Sequence, residues 1–404
     1  MSLENMPDIA RAGMSGRGGM AALVDRMRSI AIDQLQRSFR PERRIFAFRL
    51  RRRGPQIVLE GDSLRYSAIV LIGLAGQSEE MSRRALHGES RLGLCRHLSD
   101  QVTGRENLGD VALTLWAARL LGFDGWQRQH HRLCQLDPVS GRHPTVEVAW
   151  ALSALCANKD LQVDDRLAEK IAGRLIYSYD QRSAMFPHWP VGVPGHRLRG
   201  HVACFADLVY PILALSQFGI LARNDEAIEA AGACASRICE LQGPDGQWWW
   251  HYDHRTGCVL EKYPVYAVHQ DAMAPMALFA AQDACGERFD PWIVRGLEWL
   301  CHSPEINASL IDDQAGIIWR KVCRREPGKL TRSLQAAASR VHSALRVPFA
   351  DFVFPPVRVD FESRPYHMGW ILYAWQRKEH IDGRAPSHAG ARGGDDQLAL
   401  VPLV

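Results

Sequence analysis

The feature that most limits the fold is the return, in segment after segment, of apolar residues at three- and four-residue spacing. NLGDVALTLWAARLLG (107–122), PTVEVAWALSALCA (144–157), RLAEKIAGRLIYSY (166–179), DEAIEAAGACASRICELQ (225–242), VHQDAMAPMALFAAQDA (268–284) and PWIVRGLEWLCH (291–302) all carry it. Each predicts a helix with a buried face, whereas strong strand candidates are few. The connections also resemble one another. QLDPVSGRH, QRSAMFPHW, QGPDGQWWW and DQAGIIWR each follow or close a helical stretch and set small or turn residues before bulky ones. Their glutamines, Gln135, Gln181, Gln242 and Gln314, are 46, 61 and 72 residues apart, too irregular for a short-period solenoid. Helical hairpins of variable length fit this pattern. The expected fold is all-α, a toroid or incomplete barrel of hairpins around a central cleft.

At 404 residues, with 47% hydrophobic and 23% charged side chains, the chain can bury a large core. Residues 1–40 are expected to form a partly disordered arm with one amphipathic helix, 41–380 the toroid, and 381–404 a disordered tail. A net charge of +4 gives no case for nucleic acid. The arginine-rich RPERRIFAFRLRRRG (40–54) reads as a basic strand, either a solvated edge or a point of peripheral membrane contact. Ten scattered cysteines with no C-x-x-C pair indicate neither a zinc knuckle nor a redox motif, and buried thiols in a reducing compartment are expected. No metal and no cofactor is called for. With no apolar run of about 18 residues and no signal-peptide pattern, a cytoplasmic protein is expected, with peripheral contact at the inner membrane face as the variant.

ELQGPDGQWWWHYD (240–253) places three tryptophans directly after a turn of Pro244, Asp245 and Gly246. If the stretch is extended, Trp248 and Trp250 share one face and Trp249 takes the other. Gln242, Gly246 and Trp248 form Q-x-x-x-G-x-W, which resembles the QW motif of the terpenoid-cyclase and protein-prenyltransferase toroids. TVEVAWALSAL resembles helices of that superfamily and of the six-hairpin glycosidases. The resemblance implies a double ring of helices. No D-x-D-D acid is present, since QVDDR and LIDDQ do not complete it, and this departure weakens the isoprenoid reading.

The remaining polar-aromatic segments suit a carbohydrate or glycoconjugate: sugars stack an apolar face on indole and need Asp, Arg, His and Gln partners at the rim. Asp253, His269, Asp271, Asp313, Tyr366 and His367 are the candidate catalytic groups. His188, Arg199, His201, Trp248, Trp250, Tyr263, Tyr266, Arg364 and Trp370 are the candidate binding groups. Glycoside hydrolysis needs two carboxylates, for which Glu147 and Asp312 are further candidates. A uronate lyase or epimerase would instead use Tyr or His with an Arg on the carboxylate. A cyclase or prenyltransferase of the same architecture, and a non-catalytic glycan- or protein-binding toroid, stand as alternatives. If VYAVHQDAM is helical, Tyr266, His269 and Gln270 lie on one face.

Overall fold

The computed structural model describes residues 17–157, 165–195, 199–325 and 350–376, together with 334 and 338. The tail expected from 381 onward and residues 1–16 of the arm lie outside the described residues.

Twelve helices of the described residues alternate between an outer and an inner ring. They are α1 (Arg17–Ser38), α2 (Leu64–Ala75), α3 (Arg91–Val102), α4 (Leu108–Leu120), α5 (Trp126–Gln135), α6 (Thr145–Cys156), α7 (Asp165–Ser178), α8 (Ala206–Ala222), α9 (Asp225–Glu240), α10 (Ala274–Cys285), α11 (Asp290–Cys301) and α12 (Pro365–Ala374). The even-numbered helices pack in the order α2, α4, α6, α8, α10, α12 and back to α2, and the odd-numbered ones lie outside them. The chain is an all-α toroid. The helix expected in the N-terminal arm is α1, an outer helix that packs on α12, with Leu23, Val24, Met27 and Ile30 buried.

Inner helices are surrounded by helices and need apolar residues all round. In α2 the run from Ser67 to Leu74 is entirely buried, and in α4 every residue from Val111 to Arg119. Outer helices keep a charged outward stripe. Starts are set by capping side chains: Ser63 accepts the Tyr66 N–H for α2, Ser90 the Gly93 N–H for α3, Asn107 the Asp110 N–H for α4 and Asn224 the Ala227 N–H for α9. The ring closes where α2 meets α12, and the approach depends on two glycines. A Cβ on Gly73 would lie 2.2 Å from the Gly369 carbonyl oxygen, and one on Gly369 would lie 2.8 Å from that of Ile69.

Short strands decorate the ring: β1 (Phe39–Arg40), β2 (Ile45–Arg53), β3 (Gln56–Asp62), β4 (Val202–Cys204), β5 (His251–Asp253), β6 (Cys258–Glu261), β7 (Val265–Tyr266), β8 (Ile311–Asp312), β9 (Ile317–Ile318), β10 (Lys321–Cys323), β11 (Arg358–Asp360) and β12 (Glu362–Ser363). The basic segment is β2, antiparallel to β1, β3 and β12. Its arginines are held by carboxylates: Arg49 and Arg51 by Glu362, Arg52 by Asp312, Arg53 by Glu60. Nothing in this pairing supports the membrane contact read from the sequence. No helix of the described residues is long and apolar enough to cross a membrane. None of the ten cysteines forms a disulfide.

VYAVHQDAM is not one helix. Val265 and Tyr266 pair with β10, and the chain then makes a π-helical turn over His269–Met273 before α10. The wider turn still lets Gln270 Nε2 donate to the Tyr266 carbonyl at 3.0 Å.

Candidate active site

Contacts between side chains at the N-terminal ends of the inner helices form a circuit around one mouth of the ring. It begins at Arg65 in the first turn of α2. Arg65 Nε donates to Asp110 Oδ1 on α4 at 2.8 Å, and Nη2 to Glu147 Oε1 on α6 at 3.2 Å. Asn107 Nδ2 also donates to Glu147 Oε1, at 3.0 Å. The guanidinium lies 5.4 Å from the centre of the Trp150 ring, and that indole meets Tyr210 of α8 edge-on at 5.1 Å. Two carboxylates, a guanidinium and two aromatic rings from four inner helices therefore share one corner.

The next corner is tied to it through the backbone. Thr145 N–H donates to the His188 carbonyl at 2.9 Å, which fixes the 187–189 segment beside the first turn of α6. His188 Nδ1 lies 3.0 and 3.1 Å from the two oxygens of Asp207, which is fully buried in the first turn of α8. The hydrogen bond that the Asp207 carboxylate accepts from His188 raises the His188 pKa, against the opposing effect of burial. Arg199 stands close enough to His188 to disfavour its protonation, and Glu147 close enough to favour it.

Farther round, Phe205 packs on His269 at 4.6 Å, and Trp250 stacks on His269 with ring planes 8° apart. Burial pulls the His269 imidazole down to about 3, so it is neutral at ordinary pH. Tyr266 lies 4.6 Å from Trp250 and carries Arg320 on its other side at 5.1 Å. Arg320 leads to Glu362, which also accepts from Arg49, Arg51 and Arg364. Burial opposes ionisation of Glu362, but the Arg320 and Arg364 charges and the hydrogen bonds prevail and hold it at about 2. Arg364 Nη1 donates to Tyr66 Oη at 2.8 Å, and Tyr66 lies 4.7 Å from Tyr366. The circuit is thereby closed on α2.

The mouth gathers His188, Trp250, Tyr266, His269, Arg364 and Tyr366 from the expected set, with Arg199 beside His188. Other expected residues are elsewhere. His367 and Asp271 form a buried pair inside the wall, Nε2 2.7 Å from Oδ1, with Trp375 Nε1 donating to the Asp271 carbonyl. Burial raises the Asp271 pKa, and the pair's hydrogen bonds lie between elements of the wall. Asp253 is buried and organises its own turn, accepting from Arg255 N, Nε and Nη2. Asp313 is exposed and bound to Arg26 on α1. His201 is buried beside β4, with its carbonyl accepting the His254 N–H at 3.1 Å. Tyr263 donates to Glu305 under Trp249. Trp370 is buried against Trp116 and Tyr210 in the core.

The tryptophan run also differs from an alternating strand, because 247–250 pairs with no strand and turns as it enters β5. Trp248 is fully buried against Phe205, and Trp249 is 4% exposed, so both pack inward. Only Trp250 reaches the mouth. Gln242 Nε2 donates to the carbonyls of Gly246 and Trp292 at 3.0 and 2.8 Å, clamping the turn to α11. Gly246, at φ 95°, sits where a Cβ would lie 2.0 Å from the Arg295 carbonyl oxygen. In this chain the Gln-Gly-Trp triplet is a structural clasp.

Asp110 was missed as a candidate, because an acid in the first turn of a helix normally reads as a favourable partner of the helix dipole. Asp207 was noted beside Cys204 in HVACFAD but was not placed among the candidate site residues. Arg320 gave no signal, since it reaches the mouth only through the pairing of β10 with β7 and β11.

No family model matches the sequence, and no curated protein does. Solved structures do resemble the fold. An unsaturated glucuronyl hydrolase specific for heparin is 12% identical, with a TM-score of 0.58, over 91% of this chain and 98% of that one. A sugar epimerase from a ruminal bacterium is 10% identical, with a TM-score of 0.56, over 88% and 98%. A UGL variant with the saccharide dGlcA-Glc-Rha-Glc is 12% identical, with a TM-score of 0.53, over 91% and 99%. At these identities the likeness is one of fold: the chain shares the double helical ring of these carbohydrate-processing proteins.

Proposed function

We propose that this chain is a carbohydrate-active enzyme that hydrolyses a glycosidic bond at the mouth of the inner ring. The observation that carries the reading is the convergence of Asp110 and Glu147 on Arg65, beside the indole of Trp150. Hydrolysis of a glycoside needs two carboxyl groups on either side of the bond. One delivers a proton to the departing oxygen, while the other attacks the sugar or activates water. Trp150 and Trp250 bring indole rings to the same mouth, the kind of surface on which a sugar ring stacks. The solved relatives in fold, which include a glucuronyl hydrolase and a sugar epimerase, support the same class.

A second reading rests on the opposite side of the mouth. Arg364, Tyr66 and Tyr366 form the arginine–tyrosine set that elimination or epimerisation of a uronate would use. The two readings make different products. The full chain is incubated with a panel of neutral disaccharides, uronate oligosaccharides and unsaturated uronyl disaccharides, and products are identified by mass. Gain of one water supports hydrolysis, a new unsaturated product supports elimination, and an isomer of unchanged mass supports epimerisation. Turnover of none of them, with the folded chain also binding none, rejects the carbohydrate reading. For a hydrolysed substrate, azide rescue of Asp110→Asn or Glu147→Gln identifies which carboxylate lies on the attacking side.

A further inference from the structure

We propose that His188, Cys204 and Asp207 bind a zinc ion at the edge of the mouth. In the sequence Cys204 and Asp207 stand close together in HVACFAD, but no metal was expected there, because the third ligand comes from a separate loop and no C-x-x-C spacing marks the set. In the fold, one donor atom from each residue lies within 4.8 Å of the others. A tetrahedral zinc has bonds of about 2.0–2.3 Å, which sets its ligand atoms about 3.3–3.8 Å apart, and small side-chain rotations within this cluster bring the three donors to that spacing.

The chemistry of the set favours zinc over harder cations. Imidazole nitrogen and thiolate sulfur select zinc, whereas magnesium and calcium take oxygen shells. The carboxylate is already oriented as metal ligands usually are: Cys204 N–H donates to Asp207 Oδ2 at 2.7 Å. Asp207 is fully buried, and its neighbours in this corner are a thiol and an imidazole whose side chain is 43% exposed. Arg199 stands near the same corner, and a dication held by all three ligands would set its charge directly on the Asp207 carboxylate. On binding, the Cys204 thiol and the His188 Nδ1–H that faces Asp207 each lose a proton to solvent, and His188 carries its remaining proton on Nε2, leaving Nδ1 for the metal. Three protein ligands leave a fourth position open on the exposed side of His188, as in zinc sites that take water or a ligand. This inference is independent of the reaction proposed above.

The test uses the full chain, stripped with a chelator and titrated with Co²⁺ as a spectroscopic probe. The expected result is one equivalent bound, with sulfur-to-cobalt charge-transfer absorption and the intense visible bands of tetrahedral cobalt, both displaced by Zn²⁺. Cys204→Ser should abolish the charge-transfer band. Loss of an outer partner of a metal ligand already costs about 10–100-fold in affinity, so Cys204→Ser and His188→Gln should each weaken Zn²⁺ binding at least as much. Cys134→Ser, at an exposed thiol on α5, should change neither. Circular dichroism confirms that each variant is folded. A folded parent chain that takes up no Co²⁺, or a charge-transfer band that survives Cys204→Ser, overturns the proposal.

Discussion

Asp110 and Glu147 come from different inner helices and meet on one guanidinium, Arg65 Nε at 2.8 Å from the first and Nη2 at 3.2 Å from the second. A purely structural bridge between α2, α4 and α6 would tolerate an amide in place of either carboxylate, because the amide oxygen still accepts. A catalytic pair would not. Glu147→Gln and Asp110→Asn are each expected to lower turnover of a responsive saccharide by about 10²–10⁴. Thermal melts measured alongside should move by only a few degrees. Turnover retained per folded molecule in both amide variants would assign the pair to structure.

The three tryptophans should separate in the same kind of experiment. Trp248 is fully buried between Phe205 and Gly296, so Trp248→Ala should cost about 3–5 kcal/mol of stability, as other large core deletions do. Trp250 is partly exposed and stacks on His269 at the mouth. Trp250→Ala should cost less stability and a larger share of saccharide affinity. Denaturant melts and a binding titration on both variants check this, and equal losses in both would remove Trp250 from the site.

The fold was legible because helical periodicity is local. Each inner helix announces itself by an apolar run such as Ser67 to Leu74, and a ring is a way for several such helices to bury all their faces. The site was legible only in part. Segments rich in His, Tyr and Trp pointed to His188, Trp250, Tyr266 and Tyr366, which do reach the mouth. The same reasoning chose Asp271 with His367, and Asp253, because a conspicuous polar cluster reads alike whether it is aimed at a ligand or at its own neighbours. Asp271 is satisfied by His367 from the last inner helix, a pairing across 96 positions that no local pattern shows. Glu147 stood only among the further carboxylate candidates, and Asp110 was not singled out, for the converse reason. Each is one acid in the first turn of an apolar helix, and only ring closure brings them to Arg65.

Acidification should weaken the fold in two stages. His269 is held neutral by burial, with its folded pKa near 3, below its unfolded value of about 6.5. The unfolded chain therefore takes the proton first, and stability is lost as pH falls through about 6.5 toward 3. One such group contributes a slope of at most about 1.4 kcal/mol per pH unit. Glu362, held at about 2 in the fold, adds a second loss as pH falls from about 4.5 toward that value. Denaturant melts between about pH 8 and pH 5 follow the histidines, His188 and His254 among them, and His269→Phe should remove the His269 share of the slope there. An unchanged slope in that variant would show that His269 is not the group responsible.

The last prediction concerns the closure of the ring. Gly73 and Gly369 let α2 and α12 approach so closely that a Cβ on Gly73 would lie 2.2 Å from the Gly369 carbonyl oxygen. The obstacle is backbone, which cannot swing aside as a long side chain can. In an ordinary helix interior, Gly→Ala stabilises by up to about 1 kcal/mol through helix propensity. Here the sign should reverse, because the added methyl must push the first and last inner helices apart and open the packing around Ala68, Ile69 and Leu372. Overpacking of this kind typically costs about 1–3 kcal/mol. Gly73→Ala should therefore destabilise the chain, while Gly173→Ala on α7, where a Cβ would meet nothing within 4 Å, should stabilise it or leave it unchanged. The same separation would move Tyr66 away from Arg364 and Tyr366, since all three ride on these two helices. Gly73→Ala should thus also weaken saccharide binding at a temperature where the variant is still folded. Equal melting temperatures for Gly73→Ala and Gly173→Ala would mean that the two helices do not close the ring as tightly as the structure has them.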